Sequence, residues 1–131
     1  MTDFDLAEST PPRALATFLC ARHGSAAGTL HLHAMAGGGG WLLVEEGFLG
    51  RTSTRLGAAE AERVARALER ADAAALYAVN LEYAPFYCPT CDRVYCAECW
   101  RTFLVFADDL PGWLEETRGT CPEHHERMLS D

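Results

Sequence analysis

The stretch 86–100, FYCPTCDRVYCAECW, places four cysteines within twelve residues, as two C-x2-C pairs with four residues between them. An x2 spacing lets both sulfurs of a pair face one point, and a proline or small residue inside it permits the tight turn. Four such donors in a tetrahedron are what a structural zinc site requires. Cys88, Cys91, Cys96 and Cys99 are therefore the first candidate ligands.

Two more short pairs lie further out. Cys121-x2-His124 follows after 21 residues, in GTCPEHHER, where Pro122 supplies turn chemistry and His125 is an alternative to His124. Cys20-x2-His23 lies far upstream in CARHG; the competing reading there is a buried thiol beside a surface histidine. All six cysteines belong to these pairs. Eight candidate ligands supply two closed sites and leave no coordination position open, so the zinc would be structural. A single-zinc alternative uses Cys88, Cys91, Cys121 and His124, with Cys96 and Cys99 as additional thiols. His31 and His33 read instead as a solvated strand face.

Other chemistries compete for these residues. A C-x2-C dithiol can exchange disulfides, and four cysteines can hold an iron–sulfur cluster. The back-to-back motifs and the histidine-containing pairs favour zinc over both. A zinc deaminase would need H-x-E ahead of its cysteines; His124-His125-Glu126 follows them.

A chain of 131 residues suggests one compact domain or two small ones. The net charge is −8, and all eleven basic residues are arginine. That balance argues against nucleic acid and anionic membrane, which attract clustered positive charge. Residues 1–13, MTDFDLAESTPPR, lack the apolar core of a signal peptide, and no apolar run is long enough to span a membrane. A cytoplasmic location is expected, where paired cysteines more often bind metal or carry redox chemistry than form disulfides.

Residues 1–13 read as a flexible tail. ALATFLCARHG (14–24) opens as a short apolar element and runs into the first pair. TLHLHAM (29–35) alternates with period two, with Leu30, Leu32 and Ala34 on one face and the two histidines on the other. AGGGG (36–40) is a flexible turn, and 41–56 is strand-like with breaks at Gly47 and Gly50. Together they predict an antiparallel hairpin or three-stranded meander. Val64, Leu68, Ala71 and Ala75 line one helical stripe, and Asp72 can cap a second short helix over 73–80. WRTFLVFADDL (100–110) reads as a strand, PGWLEETRG (111–119) as a loop or short turn, and CPEHHERML (121–129) as a proline turn closing in a short helix.

The run C-x2-C-x4-C-x2-C, then C-x2-H, resembles the ligand order of binuclear treble-clef domains, the FYVE, B-box and RING fingers, over residues 86–128. CPTC and CPEH look like RING knuckles. The resemblance implies a cross-brace, in which Cys20 and His23 join Cys96 and Cys99 on one zinc while Cys88 and Cys91 join Cys121 and His124 on the other. The first pair departs from the pattern, since 64 residues separate it from the second. APFYCPTCDR carries no basic cluster of the FYVE lipid-binding kind, and Thr90 stands where many RING fingers carry an aliphatic residue. Trp100, Phe103, Trp113 and Leu114 could line a partner groove; core packing is the stronger reading for Trp100 and Phe103.

These readings predict an α+β fold. A small antiparallel sheet plus helix (14–83), contributing the first ligand pair, packs on a zinc-stapled treble-clef or RING-like module (84–131). The expected function is protein–protein interaction without intrinsic catalysis, with Trp113 and Leu114 as anchors. The alternatives are a RING-like ubiquitin-ligase adaptor recruiting an E2-like partner, and a thiol redox or zinc-sensing switch. No nucleic-acid or membrane partner is expected, and the oligomeric state is open.

Overall fold

The computed structural model describes residues 11–110 and 112–130. Strands β1 (Ala14–Leu19), β2 (Ala26–Ala34), β3 (Trp41–Gly47) and β4 (Gly50–Leu56) form one antiparallel sheet in chain order. The expected three-stranded meander gains its fourth strand because ALATFL alternates throughout, burying Ala14, Ala16 and Phe18 while Leu15, Thr17 and Leu19 stay outside. Ala14 pairs with Leu32 and Ala16 with Leu30, so the small residues of β1 sit beside the leucines of β2. Of the tail expected over 1–13, residues 1–10 lie outside the described part. Arg13 is anchored, donating its backbone N–H to Leu32 and its guanidinium to Glu69 at 2.6 Å.

Helix α1 (Ala58–Glu69) covers the face that carries Leu30, Leu32 and Leu43, burying Ala61, Val64, Ala65 and Leu68. Burying side chains such as Val64 or Leu68 is worth roughly 1.5–3 kcal/mol each. The single stripe through Ala71 and Ala75 is interrupted: Ala71 takes a positive φ of 49°, ends α1, and is exposed. Helix α2 (Ala73–Val79) then starts afresh, with the Asp72 side chain accepting from the Ala75 N–H at 3.0 Å.

The opposite face of the sheet departs from a solvated surface. His33 is buried, and its Nε2 lies 2.5 Å from Nδ1 of His31, whose own Nε2 is 3.5 Å from Glu46. The two imidazoles satisfy each other, so the alternation marks the face correctly but not its burial.

The carboxy-terminal part holds a two-residue ladder, β5 (Tyr87–Cys88) with β6 (Arg93–Val94), and a second antiparallel sheet of β7 (Arg101–Phe106), β8 (Leu114–Thr120) and β9 (Glu126–Ser130). The loop expected over 111–119 is thus largely a central strand, and the helix expected at the end of 121–129 is a strand. LEETRGT has no apolar alternation; it is extended because it pairs with a neighbour on each side. Gly119 is required there, since a Cβ would lie 2.8 Å from Leu129 Cδ1 and 3.1 Å from the Trp100 ring.

One buried cluster runs through both parts of the chain. Phe18 stacks on Phe86 with centroids 5.0 Å apart, and Gly28 lets that ring approach, since a Cβ would lie 2.8 Å from it. Phe48, at the β3–β4 turn, meets the edge of Trp100 at 6.1 Å. Trp100 belongs to the core; Phe103, for which core packing was expected, is exposed on β7. Arg127 is the main polar tie. Its buried guanidinium donates to the carbonyls of Ala84 (2.7 Å), Tyr87 (2.8 Å), Leu81 (2.9 Å) and Met128 (2.8 Å), and lies 5.0 Å from the Tyr77 ring centroid.

Candidate metal centres

The upstream pair is carried to the cysteine-rich stretch by backbone bonding. At the end of β1 the chain turns through Cys20–Gly24, with Gly24 N–H donating to Cys20 O at 2.9 Å. Gly24 has φ 71°, a value that suits a residue without Cβ. Ala21 N–H then donates to Val94 O at 2.8 Å, which places the turn beside β6 and the Cys96–Cys99 turn. Arg22 reaches Glu123 at 3.1 Å on the surface, next to the last knuckle.

Four donors meet there. Cys20, His23, Cys96 and Cys99 form one group whose donor atoms all lie within 4.8 Å of one another. Cys20 Sγ is 3.7 Å from Cys99 Sγ, and Cys96 Sγ is 3.8 Å from Cys99 Sγ. His23 Nδ1 lies 3.9, 3.3 and 3.6 Å from the sulfurs of Cys20, Cys96 and Cys99.

The second group is Cys88, Cys91, Cys121 and His125. Cys91 and Cys121 sulfurs are 3.8 Å apart, and His125 Nδ1 lies 3.8, 3.3 and 3.5 Å from Cys88, Cys91 and Cys121. Each knuckle is stiffened by its own sulfur, Cys88 Sγ accepting from Cys91 N–H and Cys121 Sγ from His125 N–H, both at 3.4 Å.

The histidine brought to this group is His125 and not His124. His124 occupies a left-handed position, φ 68°, in a turn closed by its N–H on Cys121 O at 2.9 Å. That turn spends one residue on the reversal, so the donor spacing is C-x3-H. The first C-x2-C knuckle places its left-handed residue, Asp92, after the second cysteine instead. The adjacent histidine was the only sequence signal for this difference.

The distances fit the edges of two tetrahedra. With metal–sulfur bonds of about 2.3 Å and metal–nitrogen bonds of about 2.0 Å, tetrahedral angles put sulfurs about 3.8 Å apart and sulfur and nitrogen about 3.5 Å apart. Both Cys3His groups match, so each could hold a metal ion. None of the six cysteines is in a disulfide. The pairs alternate between the two groups, first with third and second with fourth.

Three crowded thiols cannot all ionise easily by themselves. Burial, aided by the neighbouring Cys20 and Cys96, pushes the Cys99 thiol up to about 12. Burial likewise pushes Cys88 up to about 11. Burial also opposes ionisation of Cys20, Cys96 and Cys121, but hydrogen bonds outweigh it and leave these three below the ordinary thiol range. The donors are backbone groups of Cys96, His23 and Arg22 around Cys20, the thiols of Cys20 and Cys99 around Cys96, and backbone groups of His125 and Glu123 around Cys121. A dication among the three sulfurs would remove their mutual repulsion. Tyr95, fully buried beside the second group, interacts through its hydroxyl with Cys91, which with burial raises that phenol to about 12.

Residues 12–131 match a single family model. The chain belongs to the family described as Domain of unknown function (DUF8328). The match spans both sheets and all four ligand pairs, and no FYVE, B-box or RING family is assigned by it. No curated protein and no solved structure gives a significant match. Among the described residues, no helix is long and apolar enough to cross a membrane.

Trp113 and Leu114 sit together at the start of β8, both exposed, Trp113 to 65%. With Leu104, Phe106 and Leu110 they make the β7–β8 hairpin the main exposed apolar feature of this part.

Proposed function

We propose that this protein is a zinc-stapled protein-interaction module. The observation that carries the reading is the closure of both Cys3His groups. Each offers four soft donors at tetrahedral spacing, which suits structural zinc and leaves no position for a substrate. Thiolate and imidazole together favour zinc over hard cations. In the last 48 residues, where the secondary structure is short strands and turns, two such centres supply stability that a small core lacks. Elemental analysis of the purified protein should give close to two zinc ions per chain; iron, or no metal, would overturn the proposal.

The docking element is the β7–β8 hairpin, with Trp113 and Leu114 as anchors, since exposed aromatic residues dominate interface energetics. Six thiolates and two zinc ions change the net charge from −8 to near −10, so a basic or mixed protein surface is the fitting partner. Trp113→Ala should abolish partner capture from a cytoplasmic extract while leaving zinc content and melting unchanged. A loss of fold would place Trp113 in the structure instead.

A second reading, a RING-like adaptor for an E2-like partner, is favoured by the alternation of the four pairs between two centres. Reconstitution with E1- and E2-type enzymes tests it, and absence of ubiquitin-type transfer above the E2 background rejects it.

A further inference from the structure

A cavity of about 220 Å³ lies away from both cysteine centres, between the first sheet and the last strand. Leu43 and Glu45 of β3 and Thr52 and Thr54 of β4 line one side, with Leu49 from the turn between them. Asn80, Glu82 and Tyr83, after α2, and Ser130 of β9 line the other.

Glu45 is the unusual residue. It lies on the sheet face that carries Leu30 and Leu43, and it is 6% exposed. Its Oε1 is buried with no hydrogen-bond partner among the described residues. A buried polar atom without a partner costs free energy, and none of the lining residues is basic. Burial pushes the carboxyl up to about 7, with a hydrogen bond from Thr52 opposing the rise. Among the described residues this acidic group thus has no cation of its own, and it stands at the wall of a space large enough for a ligand.

We propose that this cavity binds a compact organic cation, a primary ammonium or guanidinium on a short apolar stem, with the Glu45 carboxylate as its counterion. Size supports this: at about 30 Å³ per water, the space holds roughly seven water-sized groups. The walls support it too. Leu43, Leu49 and the Tyr83 ring suit an alkyl stem, while Thr52, Thr54, Asn80 and Ser130 offer oxygens to N–H donors. A metal ion fits less well, since hard cations take six or more oxygens and the apolar walls would go unused. The cation can be a free small molecule or an arginine or lysine side chain of a protein partner; the recognition chemistry is the same.

The test uses the full chain as purified. n-Butylammonium, n-butylguanidinium and the uncharged 1-butanol are titrated while amide resonances of residues 43–54 and 80–83 are followed. Both cations should give saturable shifts with roughly millimolar affinity, as expected for so few atoms. Glu45→Gln should weaken them at least about tenfold, and 1-butanol should bind no better than it does to that variant. Leu49→Trp, which fills the cavity from its exposed side, should block binding without touching the carboxylate. A short peptide amide with one arginine separates the sources: tighter binding than n-butylguanidinium indicates a protein side chain, and weaker binding a free molecule. No saturable shift, equal binding by Glu45→Gln, or equal binding of 1-butanol would overturn the proposal.

Discussion

Cys20→Ser asks whether the upstream pair belongs to a metal centre. The Cys20 sulfur is buried, 3.7 Å from Cys99 Sγ and 3.9 Å from His23 Nδ1, so it forms one corner of the first tetrahedron. Serine preserves the turn and nearly the volume, but its hydroxyl is a poor zinc ligand at neutral pH. Structural zinc sites supply about 10–16 kcal/mol of apparent binding energy. Shared over four ligands, one thiolate accounts for roughly 2.5–4 kcal/mol, or about seventy- to a thousandfold in affinity. Zinc should therefore fall from about two ions per chain to about one after competition with a chelator. Because binding energy at such a site is folding energy, the melting temperature should drop by about 10 °C or more for a domain of this size. The second centre, built from other residues, should keep its ion. Zinc remaining near two with unchanged melting would remove Cys20 from the ligand set and leave the alternation of pairs without a basis.

Arg127→Met should be among the most damaging substitutions outside the cysteines. It removes the charged donor from the carbonyls of Ala84, Tyr87 and Leu81. The Ala84 and Leu81 carbonyls each keep a backbone N–H, from Tyr87 and Ala84. The loss is therefore that of three charge-assisted hydrogen bonds at roughly 1.5–3 kcal/mol each, relieved in part by water, and about 3–5 kcal/mol is expected in urea unfolding; a loss under about 1 kcal/mol would contradict this. Gly119→Ala places a methyl 2.8 Å from Leu129 and should cost about 1–3 kcal/mol by overpacking, read as a lower melting temperature with zinc content retained. For Glu45, burial raises the folded-state carboxyl from 4.5 to about 7, so its proton stabilises the fold below about pH 4.5, and that contribution is lost as pH rises through 7. Glu45→Gln should therefore be more stable than the parent at pH 8, by up to about 3 kcal/mol, with the difference shrinking toward pH 5. A difference independent of pH would show that Glu45 does not titrate in this range.

What the sequence determined by itself is local. The x2 spacings place two donors on one turn whatever surrounds them, so Cys88/Cys91, Cys96/Cys99 and Cys20/His23 are readable without a fold. The period-two alternation of LHLH and the cap at Asp72 are local for the same reason. The tertiary structure decided everything that depends on a distant partner. β8 is extended because β7 and β9 flank it, although LEETRGT has no pattern of its own. His125 replaces His124 because the turn's hydrogen bonds put a left-handed residue between Cys121 and its donor. Arg127, indistinguishable in the sequence from a surface arginine, became the buried tie between β9 and residues 81–87. Glu45 reads as strand polarity, yet the covering of one sheet face left it buried, with one carboxylate oxygen unpartnered among the described residues. Spacing encodes which side chains can share a turn; only the packed chain decides which turns, 73 residues apart in one group and 30 in the other, come together.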